Sequence, residues 1–499
     1  MAGIGVQLNK IFDKETVVTS LYGISFSFTY TIAPMLVVIG CLLAMYKVLG
    51  FDEVGYLERE IFSCSILYVF IFSLLTSSPF NSVLSKYLTD RIYEQRYEDA
   101  RPCIYVGVIT NLTFSSLLAV PFYIYAIIVG EIPLYYVFTT YMCFLGLTLT
   151  FATMIFSSIL KQYKKITAYF VYSMVLAFFL SIVFHYVLHF SVTYSMLLAL
   201  TIGFLFIASL ELSAVLHYFP ENSRRYRDVF VYFKVYWKLI AANFLYILGL
   251  FVHNFVYWTQ PWNLVVCNTY VCNQPYDMAS FLAMITNVSA TILFVSRVEM
   301  QFHERYQDYV EAVIGGKLDS IEKTKNRMFR NLFSQILSLA HLQFIISVVI
   351  YLVAIIVLPI IGFGGMTMRI YPQLAVGYFI CFLMYSAMLF LYYFDDLTGA
   401  LLNGAIFVTI SFVGSIITTK MSPMWYGAGF TVASLAAFTF SYFRLSWVEK
   451  NLDYHIFCRG IIIEQVNKDK PEPDIYNVYK NRTTVNNQAK ERKEEGYVG

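Results

Sequence analysis

Blocks of more than about 18 predominantly apolar residues recur from one end of this chain to the other, each long enough to carry a helix through the hydrocarbon core of a bilayer. Only 13% of the 499 residues are charged, against 58% hydrophobic; that is about half the charge a soluble domain spreads over its surface. The blocks lack the alternating ten-residue pattern of membrane strands, which excludes a closed barrel. Within lipid, the remaining way to pair every backbone N–H and C=O is a helix. The chain is read as an all-α polytopic membrane protein.

Twelve spans are placed near 20–46, 61–84, 103–129, 132–160, 166–188, 191–217, 235–258, 278–299, 333–359, 371–394, 398–419 and 423–446. The connections at Gly130–Glu131 and His189–Phe190 are the tightest, and a misreading at either would fuse two spans into one helix. With both termini cytoplasmic, only Lys47, Arg59, Arg369 and Lys420 of the 35 basic residues face outward, the asymmetry that orients membrane proteins. One missed helix would invert every later loop and destroy it. The net charge of +3 follows from the same rule and implies no nucleic-acid partner. Residues 1–19 read as a mildly amphipathic arm with Ile4, Leu8 and Ile11 on one face, not as a cleaved signal.

The basic connector "PENSRRYRD" (220–228) divides the spans six plus six. The expected organisation is an N-terminal bundle with its arm (1–218), a connector (219–233), a C-terminal bundle (234–450) and a polar, largely disordered cytoplasmic tail (451–499). Both halves begin on the cytoplasmic side, so an axis along the membrane normal would relate them. "SKYLTDRIYEQRYEDA" (85–100) and "SRVEMQFHERYQDYVEAV" (296–313) echo one another after the second span of each half. Chance likeness between two charged helical loops is the competing account.

No catalytic constellation is present: no G-x-x-x-x-G-K-[ST] phosphate loop, no H-E-x-x-H and no metal-binding Cys cluster. "IGGK" (314–317) is too short for a nucleotide site, so no cofactor is expected and the chain reads as a non-enzyme. Ion-coupled antiporters keep a carboxylate deep in the membrane. Here the candidate is Glu211, about two turns above the inner end of its span. It is either lumen-facing or else paired or snorkelling near the inner surface. Arg297, Glu299, Asp395 and Asp396 fall at the cytoplasmic boundary, where the first two either line a mouth or anchor the helix. His253 and Asn254 interrupt the apolar run "GLFVHNFVYW". A polar pair facing lipid is costly, so they should face the bundle or water, bonding either a ligand or a neighbouring helix. Cys267 and Cys272 in "CNTYVC" lie in the outer loop 259–277, where they are either a disulfide or two free thiols.

Four segments carry a family resemblance: "MAGIGVQLNKIF", "FSLLTSSPFNSVLSKYLTDRIYEQRYED" (72–99), "NFLYILGLFVHNFVYW" (243–258) and "YDMASFLAMITNVSATILFVSRVEMQFHERY" (276–306). Over roughly residues 1–460 the chain resembles the PelG family, inner-membrane transporters of Pel exopolysaccharide systems. That family sits within the multidrug, oligosaccharidyl-lipid and polysaccharide flippases. The resemblance implies two six-helix bundles around a central cavity bordered by the helix that carries His253 and Asn254. It also implies export of an N-acetylgalactosamine-rich polymer across the bacterial cytoplasmic membrane. The implied partners are a cytosolic glycosyltransferase and cyclic-di-GMP-responsive membrane subunits. A lipid-linked oligosaccharide flippase or a multidrug antiporter is the nearest alternative. A polytopic glycosyltransferase is remote, because the "FDE" loop (51–53) has no outer domain to hold a sugar donor.

The stretch 302–331 is longer than a connector needs. Tyr306, Tyr309, Val310 and Val313 recur at helical spacing, so this face must lie on lipid, on the bundle or on a partner. Lys323, Lys325, Arg327 and Arg330 suit anionic headgroups, whereas Glu304, Asp308 and Glu311 favour a partner. Glu94 and Glu98 in the echoing loop would complete the docking site.

Overall fold

The computed structural model describes residues 17–160, 163–287, 300–361 and 364–465. Six long helices come first: α1 (Val17–Val48), α2 (Tyr56–Tyr93), α3 (Ala100–Ile128), α4 (Leu134–Ile159), α5 (Tyr163–Tyr186) and α6 (Val192–Tyr218). A short amphipathic helix, α7 (Tyr226–Val235), leads into α8 (Trp237–Trp258). An antiparallel hairpin of β1 (Leu264–Val266) and β2 (Tyr270–Cys272) follows. After it come α9 (Gln274–Asn287), α10 (Met300–Gly315), α11 (Leu318–Ile361), α12 (Met366–Tyr393), α13 (Leu397–Thr418) and α14 (Ala428–Gln465). Among the described residues, nine helices are long and apolar enough to cross a membrane, and Ala33–Val48 is a shorter apolar one. The N-terminal arm up to residue 16, the expected span beyond Asn287 and the last 34 positions of the tail lie outside the described residues.

Both tight connections are true breaks. Glu131 and His189 adopt left-handed φ values of 50° and 55°, which no helix continues through. Gly130 is required where it stands, because a Cβ there would sit 2.3 Å from Thr269 Oγ1 and 2.6 Å from Ala126 O.

Proline inside a span is tolerated when the freed carbonyl finds another donor. In α2, Pro79 has no N–H to offer Leu75, and Ser78 Oγ donates to Leu75 O instead at 3.4 Å.

Several apolar cores form among the described residues, a smaller one around Leu84, Tyr87, Ile104, Phe156 and Val229 and two larger ones. One of the larger two joins α1–α6 and takes in Val266, Tyr270 and Cys272 of the hairpin. The other joins α8, α9, α12, α13 and α14. Small residues and hydroxyls let the helices approach, as expected where lipid competes for apolar surface. Thr150 Oγ1 of α4 donates to Phe204 O of α6 at 3.0 Å, and Gly249 of α8 lies against the Phe407 ring of α13. The α2–α8 contact joins the two sets of helices.

The stretch 302–331 forms two helices, the first carrying the helical spacing read at Tyr306, Tyr309, Val310 and Val313. α10 covers its first half, and α11 carries its second half straight into the following span as one 44-residue helix. No Gly or Pro interrupts 318–358, so nothing in the backbone ends the helix where the polar residues give way to apolar ones. By compactness residues 1–446 form one unit and 447–499 another. In the second, helix continues to Gln465, past residue 450 where the tail was expected to begin.

Candidate functional site

His253 and Asn254 are both buried, and their partners lie on the next helix. Asn254 Nδ2 donates to Asp277 Oδ1 at 2.7 Å, and Trp258 Nε1 donates to both oxygens of the same carboxylate at 2.9 Å. The backbone N–H of Asn273 supplies a third donor at 2.9 Å. His253 Nδ1 is 2.9 Å from Tyr276 OH, and its ring packs against Phe430 with centroids 4.4 Å apart. Asn273 caps α9, its Oδ1 accepting from Tyr276 N at 3.2 Å. That cap places Tyr276 and Asp277 on the turn facing α8. The polar pair therefore fastens α8 to α9. Two atoms are left over: His253 Nε2 and Asn254 Oδ1 are buried with no partner among the described residues.

Sequence reasoning missed Asp277. The available signal was an acid in the first turn of a span, directly after the Asn–Gln–Pro start.

Glu211 is fully buried between α4 and α6. Thr153 Oγ1 donates to its Oε2 at 2.7 Å, while Oε1 has no partner among the described residues. Burial of this depth removes the snorkelling arrangement. Arg297 and Glu299 lie outside the described residues.

Along the contact between α2 and the α7–α8 segment, rings meet in pairs. Tyr68 stacks on Trp258 (centroids 5.1 Å, planes 8° apart) and Phe72 on Phe255 (5.8 Å, 5°). Phe80 then meets Phe233 at 5.8 Å, and Tyr87 meets Tyr232 edge-on at 5.0 Å. Between the second and third pairs, Asn243 Nδ2 donates to Ser78 O at 3.0 Å. Tyr68, Phe72, Phe80, Phe255 and Phe233 are only half-buried, so this seam is not sealed core.

Charge gathers at the end of the seam near α7. Lys86 Nζ lies 3.7 Å from Asp395 Oδ1 and 5.0 Å from the centre of the Tyr236 ring. Tyr232 OH donates to Asp90; burial first, then that carboxylate, holds the phenol protonated well above its ordinary range. Asp396 caps α13 through Gly399 N and accepts two bonds from Arg444, at 2.6 and 3.1 Å.

The helical face of α10 packs inward: Phe302 meets Phe390, Tyr393 and Phe394, and Tyr309 is buried. Glu304, Asp308 and Glu311 point outward and are exposed, with Asp308 paired to Arg305 at 3.1 Å. Glu94 is exposed beside Arg91 and Arg96, whereas Glu98 is half-buried and its carbonyl accepts from Ser223 N at 2.9 Å.

Cys267 and Cys272 are not bonded to each other. The hairpin register explains why. Cys272 pairs across to Leu264, and Cys267 stands three residues further along at the turn, about 10 Å away at strand rise. A disulfide needs Cα atoms within about 7 Å.

The fold is similar to those of several solved structures. One is an outward-facing multidrug resistance MATE family transporter of the MOP superfamily: TM-score 0.55 at 15% identity, covering 86% of this chain and 96% of that one. The Vibrio cholerae MATE transporter VcmN in its bent form gives 0.57 at 11% identity, covering 91% and 99%. A MOP superfamily transporter from Pyrococcus furiosus gives 0.52 at 15%, covering 86% and 96%. At such identities the likeness concerns the fold alone. No curated protein sequence matches the chain. The family model PelG, described as "Putative exopolysaccharide Exporter (EPS-E)", matches residues 1–457, and the chain belongs to that family of multi-pass inner-membrane transporters.

Proposed function

We propose that this exporter passes an N-acetylgalactosamine-rich, Pel-like polysaccharide through the bacterial cytoplasmic membrane while a cytosolic glycosyltransferase extends it. The observation that carries this reading is the seam of ring pairs from Tyr68–Trp258 to Tyr87–Tyr232, in which Trp258 and Tyr87 are buried and the other six rings half-buried. Sugar rings present apolar C–H faces that stack on aromatic rings, and each Tyr adds a hydroxyl for sugar hydroxyls and amides. Rings paired with one another leave no face for a sugar. Parting the seam would expose a run of such faces on both α2 and α8, a path between two six-helix bundles. In the same reading both termini and α10 are cytoplasmic, and the exposed acidic face of α10 meets the glycosyltransferase. Cyclic-di-GMP-responsive subunits would complete the assembly.

The test replaces Phe72 and Phe255 together by Leu, which keeps apolar bulk and removes the ring faces. A stacked pair is worth about 1 kcal/mol, so secreted polymer should fall several-fold at unchanged membrane protein level. Unchanged secretion would remove the seam from the path.

A second reading, an ion-coupled antiporter, is favoured by one observation: Glu211 is buried with one oxygen unpartnered among the described residues. Buried carboxylates within membranes often serve ion or proton coupling.

A further inference from the structure

We infer that Cys64 and Cys272 form a disulfide that straps the outer hairpin to α2 across the seam. Their sulfurs lie 3.2 Å apart although the residues are 208 positions apart in sequence. A disulfide bond is about 2.05 Å long, so closing it takes a movement of about 1 Å.

The pair is the middle rung of a built contact. Glu60, Cys64 and Tyr68 follow each other at one-turn spacing on one face of α2. Glu60 accepts from Gln274 Nε2, and Tyr68 OH both donates to Val271 O at 2.9 Å and accepts from Val271 N at 3.0 Å. The residue just before Cys272 is thus clamped by the turn just after Cys64. Tyr270 adds ring contacts to Tyr68 and Phe122 at 5.1 and 5.5 Å. These neighbours hold the two thiols in register before any bond forms.

Bond formation removes one proton and one electron from each thiol. A disulfide-bearing oxidant of the outer compartment accepts them and is released as two thiols. Both cysteines are buried in the folded chain, so exchange takes place as the hairpin settles during folding. Cys267, half-exposed at the turn, has no part in it. The inference rests on the outward placement of loop 259–277 in the proposed topology.

A protease site inserted in the connector 220–228 allows the chain to be cut between Cys64 and Cys272. Cells are lysed in excess maleimide, the chain is cut, and the products are run in SDS with and without reductant. The expected result is one full-length band that reductant resolves into two fragments. Cys64→Ser or Cys272→Ser should separate the fragments without reductant, and Cys267→Ser should not. Peptide mapping of the uncut, alkylated wild-type chain gives the same answer if the insertion or a variant fails to fold. A linked Cys64–Cys272 peptide supports the strap, and both thiols alkylated overturns it. In that event, linkage of the purified protein by copper phenanthroline would place the fault in the assigned orientation. Absence of linkage there as well would place it in the geometry.

Discussion

Asp277 turns an unpromising pair of polar residues into a joint. Its two oxygens take hydrogen bonds from Asn254, Trp258 and the Asn273 backbone, so neutral donors surround a buried carboxylate. Asp277→Ala should leave the Asn254 amide and the Trp258 indole unpaired, each costing about 1–3 kcal/mol. The expected outcome is a clear drop in the thermal midpoint of the detergent-purified protein, with Asp277→Asn falling less because an amide oxygen still accepts. A wild-type midpoint for Asp277→Ala would show that the joint carries no stability. Glu211 separates the two functional readings at the same scale. Glu211→Gln keeps an acceptor for Thr153 and abolishes the titratable group. If polymer growth supplies the push, secreted polymer should stay within about twofold of wild type. Complete loss of secretion at normal protein level would favour ion coupling.

At the scale of elements, α10 has two faces with different uses. Phe302 and Tyr309 are occupied by the protein itself, which removes the apolar side of this helix from docking. What remains outward is the acidic side with Glu304, Asp308 and Glu311. Reversing Asp308 and Glu311 to Lys touches no buried group, so the protein should fold. Co-purification of the glycosyltransferase from mild detergent should fall by about tenfold, the equivalent of about 1.4 kcal/mol. Undiminished recovery with unchanged secretion would take docking away from α10. The α11 extension has a different meaning: Lys323, Lys325, Arg327 and Arg330 stand on a helix continuous with the membrane span, not on a mobile loop. Their positions relative to the bilayer are set by that rod.

For the whole molecule, orientation is the prediction that everything else depends on. In a background with the other cysteines replaced, Cys267 should react with an impermeant maleimide in intact cells. A cysteine introduced at Ser320 should react only after permeabilisation. The opposite pattern would invert the topology and place the hairpin in the cytoplasm. Lys86–Asp395 and the hairpin strap then mark opposite ends of one seam. A path along α2 and α8 has to open past both.

Much of this architecture was readable from residue order. Apolar run length is a local property, and it located the long helices, including the breaks at Gly130–Glu131 and His189–Phe190. The costly position of His253 and Asn254 in an apolar helix also announced that they must find partners inside. Which partners they find was decided only in three dimensions. Asp277, 23 residues after Asn254, becomes its neighbour because α9 folds back beside α8. Cys64 displaces Cys267 as the neighbour of Cys272 because the hairpin leans onto α2. The ring pairs of the seam likewise join residues well over a hundred positions apart, such as Phe72 and Phe255. Solvent preference is written residue by residue and survives any arrangement of the helices. Pairing depends on which helix faces come together, and in a chain this rich in rings and small residues many pairings satisfy the same pattern until packing selects one.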